Sequence, residues 1–115
     1  MSLVTKQADF AQCVAKLILF VGARPGWQVT FGDAYRDPRV PYGHEKSCHR
    51  FRLAVDLNLF VGGVYQANTS PEYQDLGDFW ESLDARARWG GRGKLHPSGL
   101  SNDPNHFSFE HMGVQ

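Results

Sequence analysis

The stretch Ser47 to Asn58, SCHRFRLAVDLN, sets an imidazole, His49, seven residues before a carboxylate, Asp56. Apolar neighbours surround that acid: Leu53, Ala54 and Val55 precede it, and Leu57, Leu59 and Phe60 follow. An acid buried in such a run must be paired, hydrogen-bonded, protonated or bound to a metal, because an isolated buried charge is costly. Only metal binding also uses His49. A second cluster, Asp103-Pro104-Asn105-His106, adds another imidazole with a carboxylate three residues before it. Two histidines and an aspartate make a three-ligand site, and one acid is left to handle protons. Zinc in hydrolases commonly takes three protein ligands from His, Asp and Glu and keeps a fourth position for water. The metal makes that water a usable nucleophile near neutral pH and polarises the carbonyl under attack. A neighbouring carboxylate must still carry the proton to the leaving amine. His49, Asp56 and His106 fit the ligand role and Asp103 the proton-transfer role. An acid three residues before a ligand, across a proline, can sit beside the metal without coordinating it. Taken singly, each residue has a plainer reading: a hydrogen-bonded structural histidine, or a turn aspartate before Pro104. The combination carries the metal reading. His44 and His96 lie in glycine-rich loops, and Cys48 points away from His49 on an extended chain.

The elements that must position these groups follow from hydrophobic period. From about Thr5 to Phe20, apolar residues at Phe10, Val14, Leu17 and Ile18 give a helix with one buried face. Gly22 to Gly26, containing Pro25, break it. Trp27 to Phe31 alternates as a half-buried strand and runs into GDAYRDPRVPYGHEK, a long loop of the kind that carries function. Leu53 to Phe60 reads as a central strand buried on both faces, with a turn at Gly62-Gly63. The odd separation between His49 and Asp56 requires a bend between them. Ser70-Pro71-Glu72 reads as a helix start with serine as the cap. That helix would bury Tyr73, Leu76, Phe79, Trp80 and Leu83 and reach about Arg88, ending at Trp89-Gly90-Gly91. Trp89 is expected in the core or a cleft wall. Gly91 to Pro104 is a second loop, and His106 to His111 a closing strand with His106, Ser108 and Glu110 on one face and Phe107 and Phe109 on the other. The expected architecture is α+β, a small antiparallel sheet with flanking helices.

With 115 residues the chain is one domain, 1–115, large enough for a core. Twelve Lys and Arg balance twelve Asp and Glu, so no overall field recruits nucleic acid or an acidic membrane. Leu17 to Val21 is too short for a signal core or membrane span, so the chain is expected to be made in the cytoplasm without a signal peptide. Cys13 and Cys48 are expected to be free thiols, Cys13 inside the first helix.

The pattern Ser47-x-His49, Ala54-Val55-Asp56-Leu57, Trp89-Gly90-Gly91 and Asp103-x-x-His106-Phe107 resembles the zinc peptidases of the D-alanyl-D-alanine carboxypeptidase and L-alanyl-D-glutamate endopeptidase group, which includes bacteriophage endolysins. The resemblance covers roughly Phe31 to the end. It implies a hedgehog/DD-peptidase-like fold, Zn2+ held by His49, Asp56 and His106, and Asp103 as general base. It further implies that Arg36, after the aromatic Tyr35, binds a substrate carboxylate or carbonyl, and that Ser47 lines the substrate cleft. The implied substrate is the stem peptide of bacterial peptidoglycan, cut between L-alanine and D-glutamate. A D-alanyl-D-alanine carboxypeptidase or dipeptidase, and a non-catalytic zinc-containing binding module, are the alternatives. Delivery to the cell wall would fall to a holin or to phage tail proteins. Two positions depart from the pattern. Arg52 stands where relatives carry glycine, so the bend there is expected to be made differently. Ser108 stands where a glutamate often supports the ligands. Neither removes a ligand.

Overall fold

The computed structural model describes residues 2–32, 51–67, 70–91 and 103–111. Among them, two helices and five strands follow the order α1 (Leu3–Gly22), β1 (Trp27–Phe31), β2 (Ala54–Val61), β3 (Val64–Tyr65), α2 (Tyr73–Leu83), β4 (Ala87–Trp89) and β5 (His106–Phe109). The strands form one antiparallel sheet in the order β1-β2-β5-β4, with β3 paired to β2 through the Gly62-Gly63 turn. The result is a small α+β domain.

Helix α1 is slightly longer than its hydrophobic period indicates. Ser2 caps it, its hydroxyl accepting from the Thr5 amide at 3.1 Å. Phe10, Cys13, Leu17 and Val21 form the buried stripe, while Val14 and Ile18 flank it. Cys13 is a free, buried thiol as expected.

Strand β2 is central, as its composition implies. It pairs with β1 from Trp27↔Val61 to Phe31↔Leu57 and with β5 from Ala54↔Ser108 to Asp56↔His106. Burial on both faces holds only at Ala54 and Val55; beyond them Leu57 and Leu59 are buried while Asp56, Asn58 and Phe60 are half-buried. The reason is one-sided cover by the helices. Phe10 of α1 meets Phe109 and Trp80 edge-on, and Trp80 of α2 packs on Phe107 and Phe109. Between the ends of β5 and β3 the edge of β2 lacks a strand partner. The Tyr73 phenol fills that gap, accepting from the Leu59 amide at 3.0 Å and donating to the Leu57 carbonyl at 3.5 Å. Burial raises the Tyr73 pKa, which keeps the phenol proton available as a donor.

Helix α2 buries Tyr73, Leu76 and Trp80 as its period predicts, but both ends differ from the sequence reading. Ser70 is not its cap: the Ser70 hydroxyl bonds to the Gln66 and Glu72 side chains, and the N-cap is Glu72. The helix stops at Leu83 instead of reaching Arg88. Asp84 is extended, and its carboxylate accepts from the Arg86 amide at 2.8 Å, capturing a backbone donor that a longer helix would use. Residues 87–89 become β4, where Ala87 and Trp89 are buried opposite Phe109 and Phe107. No helix among the described residues is long and apolar enough to cross a membrane.

The Arg86 guanidinium also reaches both Asp84 oxygens and Asp9, and lies over the Phe109 ring at 4.7 Å. Its hydrogen bonds hold the Asp84 carboxyl at about 2, below its usual value. A depressed carboxylate stabilises the fold above its unfolded value and loses that contribution as pH falls through the folded one. After discounting for solvent screening the contribution is about 1 kcal/mol. Urea unfolding between about pH 4 and pH 2 should therefore show a smaller loss of stability for Asp84→Asn than for the native chain.

Candidate metal centre

The register of β2 against β5 sets Asp56 directly across from His106. Their neighbours Leu57 and Phe107 enter the core, so alternation turns Asp56 and His106 to the opposite face. There His106 Nδ1 lies 3.2 Å from Asp56 Oδ1, between residues 50 apart in sequence.

Asp103 is brought in by a turn rather than a strand. The His106 amide donates to the Asp103 carbonyl at 3.1 Å, the Asp103 amide to the Gly90 carbonyl at 2.9 Å, and the Gly90 amide to the His106 carbonyl at 2.9 Å. Gly90 is enclosed by this turn. A Cβ there would stand 2.3 Å from the Asp103 carbonyl oxygen and 3.0 Å from His106 Cβ. Trp89 anchors the turn from below, its indole N–H donating to the Pro104 carbonyl at 2.7 Å. The indole in turn occupies the space that side chains at Gly77 and Gly91 would need, with ring atoms 2.0 and 2.2 Å from where their Cβ atoms would be. Trp89-Gly90-Gly91 is thus not a helix terminus but the cradle of the Asp103–His106 turn.

One potential ligand atom from each of Asp56, Asp103 and His106 falls within 4.8 Å of the others. Two carboxylates this close raise the cost of ionising both, and a cation between them would lower it. Asp56 and His106 are donor types that zinc accepts, and at metal–ligand distances near 2.0 Å tetrahedral ligands stand about 3.3 Å apart. The 3.2 Å between His106 Nδ1 and Asp56 Oδ1 matches that edge, and without an ion serves as a hydrogen bond. Asp103 is the exposed member of the three, while Asp56 and His106 are half-buried.

His49, Ser47 and Arg36 lie outside the described residues, as do His44, Cys48 and His96. The described chain approaches the site from both sides of the first loop. Gly32, the last residue before it, donates its amide to the Asp56 carbonyl at 2.7 Å. After it, Arg52 has φ 57. The bend expected between His49 and Asp56 cannot be followed to His49, which lies outside the described residues, but no different device replaces the glycine at Arg52: the arginine itself adopts the left-handed conformation that glycine takes without cost. Ser108 shares the sheet face of His106, is fully buried, and its hydroxyl has no hydrogen-bond partner among the described residues. Glu110, on the same face, pairs with Arg88 at 2.9 Å.

Sequence reasoning missed the turn-forming role of Gly90, which the glycine doublet signals, and the half-buried amides Asn58 and Asn105 beside the acids. No protein-family model matches the chain, and no curated protein matches it.

Two substitutions probe this geometry. Gly90→Ala should force the Asp103 carbonyl to move, costing about 1–3 kcal/mol in thermal unfolding and weakening zinc binding in a metal titration. Arg52→Gly should relieve the backbone and raise the urea midpoint by an amount equivalent to about 1 kcal/mol.

Proposed function

We propose that the chain is a zinc peptidase of the D-alanyl-D-alanine carboxypeptidase and L-alanyl-D-glutamate endopeptidase group, with a hedgehog/DD-peptidase-like fold, that hydrolyses a peptide bond in the peptidoglycan stem peptide. The observation that supports it best is the meeting of Asp56, Asp103 and His106 within 4.8 Å, the acids and imidazole that the resemblance assigns to one centre. The antiparallel sheet with helices on one face agrees with that reading but is a common architecture and adds less.

In this reading Asp56, His106 and His49 hold Zn2+, and the metal, when bound, supplies a Lewis acid for the scissile carbonyl and acidifies the attacking water. Asp103 accepts the water's proton and passes it to the leaving amine. Its exposure suits this, since the proton must be picked up and released at a cleft open to substrate. Arg36 and Ser47 bind and orient the peptide. The bond between L-alanine and D-glutamate is the preferred target, and a holin or tail protein delivers the enzyme to the wall.

The test is metal content by mass spectrometry together with muropeptide products from purified cell wall. The native chain should bind one zinc and release fragments cut at a single bond. Asp103→Ala should keep the zinc and lose roughly a hundredfold or more in rate. Loss of zinc along with activity would make Asp103 a ligand and remove it as base. Stoichiometric zinc with no wall cleavage by the native chain would support the non-catalytic module, and a chain without zinc affinity would end the proposal.

A further inference from the structure

We infer that Asn58 and Asn105 form a clamp for the backbone N–H and C=O of a substrate residue next to the scissile bond, so that this residue carries amide groups on both sides and the substrate is not a free dipeptide. This rests on the peptidase reading and specifies its substrate class. Asn58 lies two residues beyond Asp56 in β2 and so on the same sheet face, away from buried Leu57 and Leu59. Asn105 immediately precedes His106 and is fixed through its backbone, its carbonyl accepting from the Leu57 amide at 2.9 Å. The two side chains meet: Asn105 Nδ2 donates to Asn58 Oδ1 at 3.3 Å. That single bond leaves the Asn58 amide hydrogens and the Asn105 carbonyl oxygen without protein partners among the described residues. Both residues are half-buried, so these groups are positioned yet open to a ligand.

In an extended peptide the N–H and C=O of one residue point to the same side, so a residue laid along the pair can accept from the Asn58 N–H with its C=O and donate its N–H to Asn105 Oδ1. Gly32 keeps the approach clear. The point where its Cβ would stand is 3.2 Å from Asp56 Cβ and 3.6 Å from Asn58 Nδ2, so a missing side chain leaves space bounded by the acid and the amide. Along an extended chain Asn58 is offset from Asp56 by roughly 6.6 Å, about two residues of strand rise. A peptide whose scissile carbonyl faces the Asp56 group therefore sets a neighbouring residue at the clamp. No residue of a free dipeptide has both an amide N–H and an amide C=O, so the clamp favours an endopeptidase over a dipeptidase.

The experiment compares N-acetyl-L-alanyl-D-glutamate amide, which has flanking peptide groups, with free L-alanyl-D-glutamate. Zinc-loaded native protein and Asn58→Ala are assayed for kcat and KM, and metal-free protein is titrated with the capped peptide while the side-chain amide NMR signals of Asn58 and Asn105 are followed. The expected result is a roughly five- to tenfold higher KM of Asn58→Ala for the capped peptide, with kcat and zinc content little changed. Shifts of both side-chain amide signals in the metal-free native protein are also expected. Unshifted amide signals, or an equal loss on capped and free peptides, would overturn the clamp while leaving the peptidase reading in place. A native chain that binds zinc but cleaves neither peptide would overturn the peptidase reading, and the NMR titration would then judge peptide binding by itself.

Discussion

The pairing of β2 with β5 is the constraint from which both the core and the candidate centre derive. Side chains alternate along a strand, so the register that buries Val55 against Phe107 also places Asp56 against His106 on the other face. A slip of one residue would exchange the two sets, driving an acid and an imidazole into an aromatic core. Burial of Leu57, Leu59, Phe107 and Phe109 thus enforces the polar pairing without any energy from that pairing itself. The hydrophobic effect fixes where the polar groups stand, and their chemistry is free to be unfavourable in isolation.

A second layer of aromatic residues transmits that order to the turn bearing Asp103. Trp80 donates its indole N–H to the carbonyls of Arg88 and Ser108 at 3.2 Å each, tying α2 to both β4 and β5. Trp89 fills the space over Gly77 and reaches Pro104. Asp103 is therefore exposed but held through its backbone by buried rings. Such an arrangement gives a reactive group a fixed address without removing it from solvent.

Much of this could be read from the residues in order. The stripes of α1 and α2, the strand Trp27–Phe31 and the alternation of His106 to Phe109 all follow from periods of 3.6 and 2. The meeting of Asp56 with His106 and Asp103 was legible from their donor chemistry and from the resemblance, not from periodicity, which says nothing about contacts 50 residues apart. What the sequence concealed were competitions. Nothing in the run from Tyr73 to Arg88 announces that the Asp84 carboxylate will capture the Arg86 amide and release residues 87–89 to the sheet. Likewise the strand pattern of β2 predicts a uniformly covered strand, whereas Asp56, Asn58 and Phe60 are only half-buried. Arg52 shows the reverse: its side chain forecasts an ordinary backbone, and the fold imposes the left-handed one.

Chain order adds a temporal aspect to the sheet. The last of the described strands, β5, lies between β2 and β4. While the polypeptide is still emerging from the ribosome, β2 has an open flank along Ala54–Asp56, and Trp80 and Phe10 lack the Phe107 and Phe109 rings they will pack against. Insertion of this strand closes the hydrophobic interior and brings His106 to Asp56 in one event. The nascent chain therefore cannot assemble the Asp56–His106 pair until synthesis has passed β5.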